Sequence, residues 1–450
     1  MAQRKLFGTD GIRGKANSFP ITPELVLRLG KAIALHFEKK GKAPKIVIGK
    51  DTRVSGYMIE TALTSGLVSM GAEVMLTGPM PTPAISFLAR SLQADAGIVI
   101  SASHNPSEDN GIKIFDSSGL KLSDKDELEI ERIIFSEDPG HSFHEGKAIG
   151  KAFRVEDARS RYVEFIKSTA AATSLKGIKV VLDCANGAGY KAGPEALTGL
   201  GAQVIAINDK PDGVNINLDC GATHIKGLSQ KVVAEKADVG IALDGDADRV
   251  IITDSSGKEI NGDKIMACLA LDLKEKGRLA KDCVVATVMS NAGFEAYLKE
   301  KGILVVRAKV GDRYVIEEMK KNGFNFGGEQ SGHIIYGDYS TTGDGIITAL
   351  QFLRLMKEKG VSASGLGNGF ELYPQVLLNV AVREKRPFEQ IPKLANEIKS
   401  AEKALVGNGR VLVRYSGTEN IARVMVEGKD GAEIKKIADS IAQKIQEELA

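Results

Sequence analysis

Three times in this chain a short, β-rich apolar run breaks into a polar, glycine-bearing turn and passes into a helix-like segment. The runs are KIVIGKDTRVSG from Lys45, KVVLDCANGAGYKAG from Lys179 and CVVATVMSNAGFEAYL from Cys283. Strands alternating with helices read as βαβ units and a mostly parallel sheet. Each run is echoed by a second strand that follows a glycine: GAEVMLTG at Gly71, GAQVIAIN at Gly201 and GILVVRAKVG at Gly302. A helix that ends on glycine before a strand is the expected join, because the position past the helix end asks for positive φ. The pattern predicts three related domains of mixed α/β sheet. Beyond residue 370 the character changes. FELYPQVLLNVAV, GRVLVRYSGTENIARVMVEG and DGAEIKKIADSIAQKIQEEL read as strands plus an amphipathic helix, a smaller α+β domain. The division expected is 1–154, 155–254, 255–369 and 370–450.

Bulk properties exclude several classes. A length of 450 residues suggests roughly three domains, too large for a single binding module. Hydrophobic residues at 43% and charged residues at 26% fit an ordinary globular chain. Lys and Arg number 60 against 58 Asp and Glu, so no net field argues for nucleic acid or an anionic membrane as partner. MAQRKLFGTDGIRGK lacks the apolar stretch of a secretory signal, and no run reaches the ~18 apolar residues of a spanning helix. Cys184, Cys220, Cys268 and Cys283 form no CxxC pair, so they read as small buried residues in a reduced cytoplasm.

Four loops carry chemistry. ISASHNPSEDNGIKIF sets Ser103 beside His104, but no GxSxG elbow accompanies it, and neighbours on an extended segment point in opposite directions. In GIALDGDADRVIITD, Asp244, Asp246 and Asp248 alternate between apolar strands. Three such carboxylates repel unless a cation neutralises them, and hard oxygen ligands suit Mg²⁺; the alternative is a solvated Asp/Gly turn. Mg²⁺ usually keeps a phosphate oxygen among its ligands, so a phosphate on Ser103 would complete the site. NFGGEQSGHIIYGDYSTTGDG places Glu329, Ser331 and His333 behind two glycines, groups that can bond the vicinal hydroxyls of a sugar. VRYSGTENIAR offers Arg414, Ser416, Gly417, Thr418 and Arg423, suited to a phosphate dianion; the alternative is a solvated hairpin tip.

Taken in order, ASHNP, DGDADR, GEQSGH and RYSGTEN closely resemble the phosphoserine, metal, sugar and phosphate loops of the α-D-phosphohexomutase superfamily, one from each of four domains. FGTDGIRG, Phe7 to Gly14, resembles its N-terminal signature. The resemblance implies four domains around a central cleft, with Ser103 phosphorylated and Arg13, Lys113 and Arg249 as basic groups about it. It also implies one Mg²⁺ per chain on the three Asp and the Ser103 phosphate, and a bisphosphorylated hexose as intermediate and activator. A small sugar phosphate is the implied partner, and a homodimer is held open. KVGDRYV from Lys309 and the full GEQSGH are similar to the bacterial branch that interconverts glucosamine 6- and 1-phosphates. Tyr415 and Asn420 depart from the prolines more often found in the last loop. A mutase of mannose or glucose phosphates, or a metal-dependent phosphatase with Asp244 as nucleophile, are the alternatives. Lys113 is expected to move the proton, since a desolvated lysine beside cations can have a lowered pKa, with His104 as second choice.

Overall fold

The structure, a computed structural model, describes residues 5–8, 10–39, 42–136, 145–416 and 420–449. The chain folds into two compact units: Met1–Met289 with Val306–Asn368, and Ser290–Val305 with Gly369–Ala450. Among the described residues the strands form four sheets, three of mixed direction and a smaller one at the C-terminal end.

All three lead runs are strands, Lys45–Lys50, Lys179–Asp183 and Cys283–Thr287, and so are their echoes, Glu73–Pro79, Gln203–Ile207 and Leu304–Ala308. Gly71, Gly201 and Gly302 hold φ of 81°, 93° and 68°, the backbone that an L side chain resists. Each sheet then adds a pair of strands that the repeat pattern did not include: Ala96–Ile100 with Asp109–Asp116, Val239–Leu243 with Val250–Asp254, and Phe326–Gly328 with Ile334–Tyr336. In every sheet the order is second strand of the pair, first strand of the pair, lead, echo. One arrangement used three times is what related domains require.

The sheets are mixed for a simple reason. The first strand of each pair lies parallel to the lead, whereas the two strands of the pair run antiparallel. The connection within each pair is too short for the crossover that parallel neighbours need, so the chain must double back. In the first sheet, Ile12–Lys15 pairs antiparallel with Asp109–Asp116 and sets Arg13 opposite Gly111. The central strand Ala96–Ile100 is buried along its whole length, which explains its unbroken apolar sequence. Beside this sheet the helix Pro23–Phe37, not anticipated in the repeat pattern, starts on Thr22, whose side chain accepts from Leu25 N. It packs on Ser55–Ser69 so closely that a Cβ on Gly30 would come within 2.5 Å of Leu63 O.

In the second unit, Gln375–Ala381 and Gly409–Tyr415 flank Ile421–Gly428, both antiparallel to it. Gln375–Ala381 alternates between exposed and half-buried, a strand with one face covered. The helix Gly431–Leu449 supplies Ile434, Ala438, Ile441, Ile445 and Leu449 to the core, the spacing of a single helical face. The helix Ala292–Glu300 also belongs here, although its sequence reads as part of the third repeat. Tyr297 stacks on Phe370 at 5.2 Å, and Ala292 N donates to the buried Glu427 at 3.0 Å. No helix is long and apolar enough to cross a membrane among the described residues. All four cysteines are free and buried.

Candidate active site

The short connections of the three antiparallel pairs, 101–108, 244–249 and 329–333, are the serine, aspartate and GEQSGH loops. Each lies where its sheet changes from parallel to antiparallel, so a single topological position in three repeats yields three chemically different loops. Each loop also leaves the carboxyl end of the strand beside the lead, where strand order reverses, and open α/β sheets leave a crevice for ligands outside the strand ends at such points.

Ser103 is 1% exposed and has φ of 53°, a left-handed conformation costing a non-glycine residue about 1–2 kcal/mol. The surroundings impose it. Ser103 N donates to Ser101 Oγ (2.9 Å), and Ser103 O accepts from Arg53 Nη2 (3.0 Å) and Asn217 Nδ2 (2.9 Å). Fully buried Arg53 also donates to the backbone oxygens of Asn105 (2.8 Å), Asp109 (3.0 Å) and Pro106, and to Asp51 (2.8 Å), which in turn accepts from Ser101 Oγ (2.6 Å). The bend brings Ser103 Oγ within 3.3 Å of His104 Nδ1, so the expectation that these side chains diverge fails. Arg53, Asp51 and Asn217 were not found by sequence reasoning. KDTR at the C-terminal end of a parallel strand was the available signal for the first two.

Ser103 Oγ donates to Asp244 Oδ2 at 2.7 Å. Asp244, Asp246 and Asp248 are all buried, which excludes the solvated turn, and each offers an oxygen within 4.8 Å of the others. Gly245 permits the approach, since a Cβ there would lie 2.4 Å from Ser103 O. Asp246 Oδ1 and Asp248 Oδ1 are buried without a hydrogen-bond partner. Burial, together with Asp246 and Asp248, pushes the Asp244 carboxyl well above the usual carboxylate range. Orphaned oxygens and converging charge in a buried cluster are what a bound cation would resolve, so the three residues fit a metal ion.

Lys113 lies on the strand Asp109–Asp116 and donates to Asp246 at 2.9 Å, with Asp10 at 3.3 Å and Asp248 at 3.6 Å. Burial alone would depress its ammonium, but Asp10, then Asp246 and Asp248, outweigh burial and raise it above the ordinary lysine value. The direction is therefore opposite to the expected lowering, because the three carboxylates outweigh both burial and the neighbouring Arg13. His104 moves the other way: burial, then Arg249 and Arg13, push it down to about 4.

A cavity of about 400 Å³ opens beside these groups, lined by Arg13, His104, Arg249, Glu329 and His333 and by Asp10, Gly311 and Asp312. Arg13 pairs with Asp10 and donates to Ala102 O (3.2 Å), while Arg249 N donates to Asp244 Oδ1 (3.1 Å). His333 stands between Asp248 and Asp312, 3.5 Å from each, and its Nε2 accepts from Gly343 N at 3.0 Å. Ser331 donates to Glu329 Oε2 (3.3 Å), and Glu329 in turn lines the cavity. Asp10, Lys121 and Asp312 were also missed by sequence reasoning.

In the second unit Arg414 and Arg423 are direct cross-strand partners, so two guanidinium groups share one face of the sheet. Ser416 is buried, and its backbone oxygen accepts from Lys385 Nζ at 2.8 Å. Gly417 and Thr418 lie outside the described residues.

Four family models match the chain in sequence. They are phosphoglucomutase/phosphomannomutase alpha/beta/alpha domain I at residues 4–141, domain II at 160–257, domain III at 261–373, and the C-terminal domain at 377–444. The chain belongs to the phosphoglucomutase/phosphomannomutase family. Among its curated relatives is the phosphoglucosamine mutase of Lawsonia intracellularis, 49% identical over 448 residues, spanning 99% of both proteins. A phosphoglucomutase/phosphomannomutase family protein from Burkholderia thailandensis shares the fold with a TM-score of 0.82 at 22% identity, covering 99% of this chain and 98% of that one. So does Aspergillus fumigatus N-acetylphosphoglucosamine mutase, solved with GlcNAc-6P and magnesium. Its TM-score is 0.67 at 18% identity, with 99% and 96% of the two chains covered.

Proposed function

We propose that this chain interconverts glucosamine 6-phosphate and glucosamine 1-phosphate through a phosphorylated Ser103. The observation that carries the reading is the convergence of Ser103, Asp244 and His104 beside the cavity, in a chain about half identical to phosphoglucosamine mutases. Asp244, Asp246 and Asp248 would hold Mg²⁺, which when bound would neutralise charge on the transferring phosphoryl group. The four-domain division near 155, 255 and 370, a cytoplasmic setting and a bisphosphorylated hexose intermediate form part of the same proposal.

The chain's own groups divide the work. Phosphoryl transfer depends mainly on positioning and charge neutralisation, and Lys113 and the neighbouring Arg13 and Arg249 supply the cationic side. When a sugar hydroxyl attacks, the bond from phosphorus to Ser103 Oγ breaks and one to the sugar oxygen forms. Neutral His104, 3.3 Å from Ser103 Oγ and facing the cavity, takes the hydroxyl proton and passes it to Oγ. The return half-reaction runs the same path backwards with the other phosphate of the bisphosphate. Glu329, Ser331 and His333 would meet the sugar, and Arg414, Ser416, Gly417, Thr418 and Arg423 the distal phosphate.

Coupled assays and phosphorus NMR on glucosamine, glucose and mannose phosphates test this. The highest kcat/KM is expected for glucosamine 6-phosphate, with 1-phosphate as product. Preference for mannose or glucose phosphates would overturn the sugar assignment, and free phosphate without isomer would overturn the mutase reading.

A further inference from the structure

The residues Asp312 and Arg313 open the helix Asp312–Asn322, and neither has a part in the phosphoryl chemistry above. Both reach the segment 121–127, about 190 residues earlier in the chain, with opposite charges side by side. Lys121 Nζ meets Asp312 Oδ2 at 2.6 Å, and Arg313 Nη2 meets Glu127 Oε1 at 2.6 Å and Leu122 O at 3.1 Å. Arg313 Nη1 adds Asp124 and the second oxygen of Glu127 (3.4 Å). Arg313 is 8% exposed and Glu127 3%. A forked, desolvated pair of this kind is geometrically stiff, unlike a lysine pair on an open surface.

What the clasp holds is the loop immediately before it. Val310, Gly311 and Asp312 line the cavity alongside Glu329, and Gly311 N donates to Glu329 Oε1 at 3.1 Å. Gly311 has φ of 123°, a conformation that glycine adopts and most side chains resist, and it sets the direction of this amide. The Arg313 fork is one residue beyond Asp312 and two beyond Gly311. Through it, the segment 121–127, which runs into the helix Asp124–Ile134, is tied to the loop whose amide bonds Glu329.

We infer that Arg313 is a positioning residue: its pairing with Glu127 seats the Val310–Asp312 loop on Glu329 and thereby sets discrimination between glucosamine and glucose phosphates. The inference rests on the sugar-phosphate reading of this cavity. A clasp that only stabilised the fold would lower Tm and slow both sugars by one factor. A clasp that aims Glu329 changes their ratio.

The test measures kcat/KM for glucosamine 6-phosphate and glucose 6-phosphate in Arg313→Met, Glu127→Gln and the double variant of the full chain. Either single change should move the ratio toward one by about tenfold, the scale of a displaced substrate contact. The double variant should move it no further, because both changes release the same clasp. If Arg313→Met fails to fold, near-isosteric Glu127→Gln carries the same prediction. Wild-type turnover of neither sugar would overturn the reading of the site and the clasp with it. Wild-type selectivity surviving in the folded variants would overturn the clasp alone.

Discussion

Ser103 Oγ donates to Asp244 Oδ2 at 2.7 Å across 141 residues of chain. A phosphate on that oxygen would face three buried carboxylates, which only a cation between them could tolerate. Ser103→Ala should therefore lower kcat by about three orders of magnitude or more. Intact mass should show a phosphate on the wild-type peptide that contains Ser103 and none on the variant. Near wild-type turnover in Ser103→Ala would refute the role given to this serine.

Metal removal is expected to abolish turnover, and Mg²⁺ to restore it. Asp246→Asn should weaken Mg²⁺ binding, so that more Mg²⁺ is needed to restore turnover, since it removes a ligand carboxylate that also anchors Lys113 and Thr82. Titration of stripped protein with Mg²⁺, read by activity and by Tm, checks both. Undiminished turnover in excess chelator would count against the site.

His104 should stay neutral through the physiological range. Its folded pKa of about 4 lies below the ordinary value of about 6.5, so the unfolded chain binds the extra proton first. Stability from this group is fully present above the unfolded value and is lost as pH falls through the folded one. Tm measured against pH should fall less steeply over that window in His104→Gln than in wild type. Equal slopes would contradict the assignment.

Arg414 and Arg423 are directly opposed in the strand register and set two guanidinium groups on one face, the geometry a phosphate dianion can bridge. Inorganic phosphate should raise Tm in wild type and less so in Arg414→Ala. That variant should also raise KM for all hexose phosphates alike, by about 1.5–3 kcal/mol of charge-assisted bonding. A change confined to one sugar would reassign the residue.

Arg53→Met should destabilise the protein by about 3–5 kcal/mol, because it leaves Asp51 buried without its partner. Thermal or denaturant unfolding reads this directly, and a loss below 1 kcal/mol would show that the serine loop holds its shape without Arg53.

The sequence by itself determined the repeats and the loops. Periodicity placed the lead and echo strands because apolar runs and glycine joins are local facts, and Gly71, Gly201 and Gly302 all take the positive φ their positions implied. Chemistry-bearing residues such as Asp244, Asp246 and Asp248 were legible for the same reason: like charges at close spacing demand a partner. What only the tertiary structure decided was every property that depends on distant charge and burial. Lys113 has no carboxylate at its side in sequence, yet Asp10 and Asp246 converge on it and reverse its expected pKa shift. Arg53 looks like an ordinary turn residue until the fold buries it among the backbone oxygens of the serine loop. Coulomb energy and desolvation act through space, and sheet order, rather than chain order, sets which residues share that space.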